Sequence, residues 1–222
     1  IGKNSDVPVQ EAMRDYRSCL RAVYTVTDYV AVDISSPNTT GLPELHAEPL
    51  FSQILKLLKD EQAQLAQQHG LYTPIAIKIS PDLDKQDIER IANALMAFEF
   101  DGVIATNTTR LRPRVIANTQ MADEEGGLSG RPLSKPSTEI IRQLYKHLNG
   151  SLPIIGCGGI ASGEDAYAKI RAGASLVQIY SALIFRGLQL VSDVKNELAT
   201  LLRRDCFTSV ADAVGADYRT NA

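Results

Sequence analysis

The sequence predicts an α/β fold in which parallel β-strands alternate with α-helices. Short runs of β-branched and apolar residues recur along the chain, and longer amphipathic stretches separate them. Because these runs are apolar almost throughout, we expect strands that are buried on both faces, as in a barrel or a doubly wound sheet. With 222 residues, of which 44% are hydrophobic, the chain is long enough to bury the core of one sizeable domain.

The first half of the chain contains two predicted strands and three predicted helices. A helix over about Val9–Thr25 precedes the first strand, Tyr29–Ile34, which is rich in apolar and β-branched residues. Apolar side chains at helical spacing then predict a helix over Leu50–Gln67. The apolar run Pro74–Ile79 predicts the second strand, and Asp84–Phe98 predicts a helix with acidic residues in its first turn.

The second half of the chain adds three strands and three helices. Gly102–Thr106 is the third predicted strand, and the segment Asn107–Pro136, rich in Gly, Pro, Arg and Asn, follows it. A loop of that length is usually either functional or mobile. The remaining predicted strands are Leu152–Gly156 and Ser175–Tyr180, and the remaining predicted helices are Ser137–Leu148, Gly163–Ala172 and Leu183–Arg203.

The number of strands favours part of a (β/α)₈ TIM barrel. Such a barrel has eight strands and typically about 250 residues, whereas about five strands are predicted here. No change in composition divides the chain, and it does not begin with methionine. We therefore expect 1–222 to form one TIM-barrel domain that is incomplete at its N-terminus, with three further strands before Ile1.

Charge, cysteine spacing and hydropathy exclude several classes of protein. Lys and Arg number 23 against 26 Asp and Glu, so bulk positive charge provides no surface for nucleic acid. The three cysteines have no CxxC spacing, which fits a reducing compartment and argues against a disulfide framework or a metal cluster. No stretch approaches the roughly eighteen consecutive apolar residues of a membrane-spanning helix.

Polar residues gather where the predicted strands end. In parallel barrels the ligand lies at the carboxyl ends of the strands, so a polar ring there predicts a ligand that makes many hydrogen bonds. The ring consists of Asp33, Ser35, Ser36 and Asn38 after the first strand, Lys78 and Ser80 after the second, Thr106, Asn107 and Thr108 after the third, Gly156, Cys157, Gly158 and Gly159 after the fourth, and Tyr180 and Ser181 after the fifth.

Three features of this ring have both a chemical and a purely structural interpretation. The GxGG turn that ends at Gly159, together with Tyr180–Ser181, predicts a phosphate site, although a glycine-rich turn can also serve tight geometry alone. Lys78 in an apolar strand either faces an anionic ligand or extends past the strand end into water. Ser36 lies in an SSPN turn with no GxSxG motif and no evident His partner, so spacing alone does not make it catalytic.

Five ordered motifs make this sequence resemble the dihydroorotate dehydrogenase family. The serine in SSPN, where the soluble class 1 enzymes have cysteine, makes it similar to the membrane-associated, quinone-dependent class 2. The motifs cover most of the chain and are Asp33–Thr39 (DISSPNT), Ile77–Asp82 (IKISPD), Asp101–Thr109 (DGVIATNTT), Gly126–Leu133 (GGLSGRPL) and Leu152–Ile160 (LPIIGCGGI).

The resemblance implies an FMN enzyme of pyrimidine biosynthesis that oxidises dihydroorotate to orotate and passes the electrons to a quinone. Ser36 would be the base that removes the proton from the substrate C5, while hydride leaves C6 for the flavin N5, and the loop that begins there would act as a lid. The substrate-binding residues would be Asp33, Asn38, Asn107 and Thr108, and the flavin-binding residues would be Asp33, Lys78, Thr106, Gly130, Gly159, Tyr180 and Ser181.

Three positions depart from the family pattern. One is Cys157, which stands where a small apolar residue is common and is expected to be a buried small hydrophobic residue. The family motif NxSSPN begins with asparagine, whereas this chain has Asp33. An ionised aspartate accepts hydrogen bonds but cannot donate them, and it would repel the orotate carboxylate. Either the site accommodates a protonated or redirected Asp33, or orotate binds more weakly than with asparagine. Cys206 stands where a glycine is expected, so we expect an altered helix end there.

The resemblance also implies segments that would precede Ile1. These are three strands with further ligand contacts, and a helical extension that contacts the membrane and admits the quinone. A full-length member of this class is expected as a peripheral protein at the cytoplasmic side of the bacterial inner membrane. Two alternatives stay open, a class 1 flavin enzyme that uses fumarate or NAD, and a barrel fragment without activity.

Overall fold

A computed structural model describes residues 1–36, 48–113, 116, 119 and 122–219 of the chain. Its centre is one sheet of five parallel strands in the order β1-β2-β3-β4-β5, so each strand pairs with the next strand along the sequence. The strands are β1 Val30–Asp33, β2 Ile75–Ile79, β3 Gly102–Ala105, β4 Ile154–Cys157 and β5 Leu176–Gln178.

Helices connect the successive strands, because two neighbouring parallel strands need a crossover between them. Two short 3₁₀ turns also lie on the chain, at Val9–Glu11 and Arg131–Leu133. The α-helices are α1 Ala12–Val23, α2 Leu50–His69, α3 Lys85–Ala97, α4 Ser134–Leu148, α5 Gly163–Arg171, α6 Ser181–Arg186, α7 Gln189–Arg204, α8 Val210–Ala213 and α9 Ala216–Arg219.

Alternate strand residues point to opposite faces of the sheet. On the helix-covered face, residues such as Val32 and Ile77 are fully buried in the main core. On the other face, Ala76, Ile104 and Cys157 form a smaller apolar cluster. Strands β2 to β4 are thus mostly buried on both faces, as their apolar sequences predict. The expectation is wrong for β5, which lies at the edge of the sheet with Leu176 exposed.

The strand register brings two charged residues together on the second face. Asp33 at the end of β1 pairs with Lys78 in β2, and Lys78 pairs with Ile104 in β3. Because Ile104 belongs to the second-face cluster, Lys78 and Asp33 lie on that face as well. The carboxyl end of the sheet therefore carries an acid and a base side by side.

The predicted parallel α/β class is confirmed, with differences at three helices. The last predicted helix, Leu183–Arg203, is divided into α6 and α7 because Gly187 between them has a φ of 68°, which ends α6. Helix α4 begins at Ser134, directly after a 3₁₀ turn and before the predicted start at Ser137. Cys206 adopts the left-handed φ of 61° that a glycine favours, yet α7 ends in a regular Schellman motif in which the Phe207 N–H donates to the Leu202 carbonyl.

Candidate active site

A cavity of about 450 Å³ opens at the carboxyl ends of β2 to β5. Its volume lies within the range of small-molecule sites. The structure places most of the residues predicted to bind substrate or flavin along its wall. They are Lys78, Thr106, Asn107, Thr108, Gly130, Gly159, Tyr180 and Ser181.

Three other predicted residues are not among the described residues that line this cavity. Asp33 ends β1 and reaches the cavity wall through a hydrogen bond with Asn107. Ser36 is half-buried and is the last described residue before position 48. Asn38 and the predicted lid beyond Ser36 lie outside the described residues.

Asp33 and Asn107 join the ends of β1 and β3. The Asn107 Nδ2 donates to both carboxylate oxygens of Asp33, at 3.0 Å each, and the Ser35 N–H donates to the Asp33 Oδ1 at 2.8 Å. The Asn107 Oδ1 accepts a hydrogen bond from the Thr108 N–H at 2.9 Å. These partners of Asp33 are donors, which suits an ionised carboxylate, so the cluster fixes the orientation of the Asn107 amide.

Lys78 places a cation at the cavity wall. Its side chain is half-buried and lies on the same face of the sheet as Cys157. Burial raises the pKa of the Cys157 thiol, while the nearby ammonium groups of Lys78 and Lys169 act in the opposite direction. The thiol is therefore neutral near pH 7 and adds no negative charge opposite Lys78.

The GxGG turn lies directly on the first turn of α4. Gly158 and Gly159 have φ values of 118° and 70°, which favour glycine. A Cβ on Gly159 would lie 2.4 Å from the Ser134 N and 2.6 Å from the Ser134 Cα. The absence of side chains therefore allows both the close packing and the approach of a ligand to the main chain of the turn.

The turn after β5 completes the same wall. Ser181 is the first residue of α6, and its hydroxyl donates to the Ser129 Oγ at 2.9 Å. This contact joins the last βα unit to the loop that contains Gly130. The exposed Tyr180 precedes Ser181 and lines the cavity as well.

The described parts of the segment 107–136 are held by hydrogen bonds. Asp82, in the loop after β2, accepts from the Thr109 hydroxyl and, at 2.8 Å, from the Arg110 N–H. The Arg112 guanidinium donates to the Glu124 and Gly126 carbonyls, at 2.8 Å each. These contacts hold the chain that follows Asn107 and Thr108 against the neighbouring unit.

The sequence did not single out Gln178, although the structure places it in the cavity wall. Its Oε1 and the Thr108 Oγ1 are buried and have no hydrogen-bond partner within the part of the chain that the structure describes. The signal that could have identified Gln178 is an amide in the otherwise apolar run SLVQIY, two residues before Tyr180 and hence on the same face of the strand. Both atoms can accept hydrogen bonds from a ligand.

Comparison with known proteins identifies the family. The family model described as dihydroorotate dehydrogenase matches residues 2–202. The dihydroorotate dehydrogenase (quinone) of Methylobacillus flagellatus is 56% identical over 198 residues, which are 89% of this chain and 58% of that protein. The dihydroorotate dehydrogenase (quinone) of Nitrosomonas eutropha is 54% identical over 200 residues, with 90% and 58% covered. This chain thus spans less than two thirds of these relatives.

Solved structures show the same architecture. The DHODH of Eimeria tenella in complex with ferulenol superposes with a TM-score of 0.92 at 36% identity, covering 99% of this chain and 61% of that chain. The ligand-free form from the same organism gives a TM-score of 0.90 at 38% identity, with coverage of 98% and 62%. Because these neighbours are TIM-barrel enzymes, the five parallel strands are confirmed as part of that architecture. With a family match that extends over residues 2–202, this chain belongs to the dihydroorotate dehydrogenase family.

Proposed function

We propose that this chain supplies flavin- and substrate-binding residues to a quinone-dependent dihydroorotate dehydrogenase, which oxidises (S)-dihydroorotate to orotate in pyrimidine biosynthesis. The observation that carries the proposal is the cavity, where residues from four of the five sequence motifs converge, and Asp33 of the fifth motif is joined to the cavity wall through Asn107. Quinone as the electron acceptor is supported by relatives named dihydroorotate dehydrogenase (quinone) at 50–56% identity.

The proposal includes contact with the membrane. The relatives compared above are bacterial proteins named for a quinone. We place the protein peripherally at the cytoplasmic side of the inner membrane, through a segment outside the 222 residues. Across the described ranges, none of the helices is both long enough and apolar enough to cross a membrane.

The cavity fits FMN, a flavin of the kind that this family uses. Its volume of about 450 Å³ is suited to a cofactor. The Gly158–Gly159 turn and Ser181 would hold the phosphate through main-chain N–H groups and a hydroxyl. Lys78 would lie against the flavin ring. The Gln178 Oε1, which has no hydrogen-bond partner in the described ranges, would accept a hydrogen bond from the cofactor.

FMN supplies a two-electron acceptor for hydride when it is bound. The protein residues have separate tasks around it. Lys78 would provide a fixed cation where negative charge develops. The hydrogen bonds from the Asn107 Nδ2 to Asp33 fix the orientation of the Asn107 amide, which would lie beside the substrate. Ser36 would take the proton from the substrate C5. A serine is a weak base in water, so this task requires a site from which water is excluded.

Anaerobic mixing of the purified full-length protein with dihydroorotate tests the proposal. We expect a yellow protein whose flavin absorbance is bleached by dihydroorotate and restored by a quinone. Restoration by fumarate or NAD, and not by a quinone, would identify a class 1 enzyme instead. A protein that binds no flavin, or a bound flavin that dihydroorotate does not reduce, would overturn the proposed function.

A further inference from the structure

Lys169 in α5 is a fully buried lysine that has no part in the chemistry proposed above. Its side chain is 0% exposed, and its ammonium is directed at the first turn of α4. The Nζ donates to the Ser137 Oγ at 2.5 Å, to the Thr138 Oγ1 at 3.1 Å and to the Ser134 carbonyl at 3.3 Å. Three donors therefore meet three acceptors on one helical turn.

Among the described residues, no carboxylate forms an ion pair with the Lys169 ammonium, whose partners are two hydroxyls and a carbonyl. Desolvation lowers the pKa of Lys169 to about 8, and the two groups that oppose this shift are Cys157 in β4 and Asp165, one turn earlier in α5. Burial raises the pKa of the Cys157 thiol, so that group is neutral. Holding a charge here without a carboxylate in contact is costly unless another anion is nearby when the protein works.

Lys169 donates to the first turn of α4, and the Gly158–Gly159 turn packs on the same part of that helix. The Ser137 hydroxyl lies 3.2 Å from the Gly158 carbonyl, and a Cβ on Gly158 would lie 2.9 Å from the same hydroxyl oxygen. On the other side, the Gly159 main chain packs against Ser134, whose carbonyl accepts from Lys169. Lys169 is thus linked to Gly158 through Ser137 and to Gly159 through Ser134.

We propose that Lys169 is a positioning residue for the flavin phosphate, which holds the Gly158–Gly159 turn through Ser134 and Ser137 and supplies a buried positive charge beneath the bound anion. This inference rests on the proposed function, because it assumes that the turn holds the phosphate of FMN. It adds a residue on a neighbouring helix that would not touch the cofactor.

Replacing Lys169 should have different effects on FMN and riboflavin binding if this lysine serves the phosphate, and equal effects if it only stabilises the fold. A lysine that only stabilises the packing of α5 on α4 should affect every flavin equally when it is replaced. A lysine that serves the phosphate should affect FMN and leave riboflavin, which has no phosphate, nearly unchanged. The ratio of the two affinities is therefore the quantity to measure.

The test uses the full-length protein after its flavin has been removed, with FMN and riboflavin titrated separately by fluorescence quenching. We expect Lys169→Met to weaken FMN binding by about tenfold or more, as for loss of one charge-assisted contact, and to leave riboflavin binding within about twofold. Ser137→Ala, which removes the link to Gly158, should weaken FMN selectively by a smaller factor. Lys135→Met makes the same substitution at an exposed lysine in the same turn of α4, and should leave both affinities unchanged.

The pH dependence gives a second measurement. A phosphate monoester is already dianionic above about pH 7, so the group expected to titrate above that pH is Lys169. The titratable groups that act on it are the Cys157 thiol and the Asp165 carboxylate. If FMN binds the protonated form, the contribution of the ammonium is present below pH 8 and is lost above it. The FMN dissociation constant of the wild-type protein should then rise about five- to tenfold from pH 7 to pH 9 relative to riboflavin, and Lys169→Met should lack this rise.

The results distinguish failure of the proposed function from failure of the role of Lys169 alone. A wild-type protein that binds neither flavin overturns the proposed function and this inference with it. If the wild-type protein binds FMN, equal FMN binding by Lys169→Met, or equal losses for FMN and riboflavin, overturns the role of Lys169 alone. If Lys169→Met does not fold, as judged by circular dichroism, Ser137→Ala decides, and an FMN affinity equal to wild type in that variant overturns the inference.

Discussion

Replacing Gly159 with alanine should be the most damaging single-methyl change in the cavity wall. The new Cβ would lie 2.4 Å from the Ser134 N and 2.6 Å from the Ser134 Cα. Both atoms belong to the main chain of α4, so no side-chain rotation can relieve the contact. The residue would also have to keep a φ of 70°, which alanine rarely adopts.

The two effects give an expected cost. A left-handed conformation costs an ordinary residue about 1–2 kcal/mol, and forcing an extra methyl group into a packed site typically costs about 1–3 kcal/mol. We therefore expect Gly159→Ala to lower the free energy of unfolding by about 2–5 kcal/mol. FMN binding should weaken as well, because the turn can accept the Cβ only by moving away from α4.

Gly70→Ala is the matched control. Gly70 ends α2 with a φ of 63°, and no atom of the described residues outside its own chain neighbours lies within 4 Å of the position of its Cβ. Its substitution should cost only the conformational strain, about 1–2 kcal/mol, and should leave FMN affinity unchanged. Urea unfolding of both variants measures the difference. Equal losses of stability would refute the argument that close packing on Ser134, and not φ alone, requires glycine at position 159.

Three further variants test other parts of the site and fold. Ser36→Ala should slow flavin reduction by about 10²–10⁴-fold while dihydroorotate binding stays nearly intact, and near wild-type reduction in a stopped-flow trace would contradict the role of Ser36 as the base. Asp33→Asn should tighten orotate, as measured by titration against the bound flavin, and unchanged or weaker affinity would count against charge repulsion at this position. Cys206→Gly should raise the free energy of unfolding by roughly 0.5–1 kcal/mol, because it relieves the left-handed φ of 61°, whereas Cys206→Ala keeps that strain and should give no gain.

The sheet could be predicted from the sequence because its signals are local. Apolar runs such as Ile75–Ile79 are buried on both faces, and each is followed by a helical pattern with the expected length. The division between α6 and α7 could not be predicted in this way. Gly187 lies inside an otherwise continuous helical pattern, and because a single glycine is tolerated within helices, the pattern does not show that this one adopts a φ of 68° and ends α6.

The candidate site also contains residues that could be predicted from the sequence and a residue that could not. Residues at strand ends, such as Lys78 and Asn107, could be predicted to meet because parallel strands place their carboxyl ends at one edge. Lys169 could not be predicted to lie beneath the GxGG turn, since its partners are on a helix more than thirty positions earlier in the chain. From the sequence, it is one basic residue in the last turn of an amphipathic helix, where a solvent-exposed position is the usual expectation.

The Asp33 cluster shows how contacts change an expectation based on charge. The sequence alone predicts that this carboxylate repels orotate. In the structure, its oxygens accept hydrogen bonds from the Asn107 Nδ2 and the Ser35 N–H, which stabilise the negative charge within the protein. An asparagine at position 33 would keep one side-chain oxygen that accepts a hydrogen bond. Its NH₂ group would replace the second oxygen and would face a donor, so one hydrogen bond would be lost at a cost of about 1 kcal/mol. We expect removal of the charge to outweigh that cost, because orotate is itself an anion and must approach the same cluster. The sign of the measured change in orotate affinity reports which of the two effects is larger.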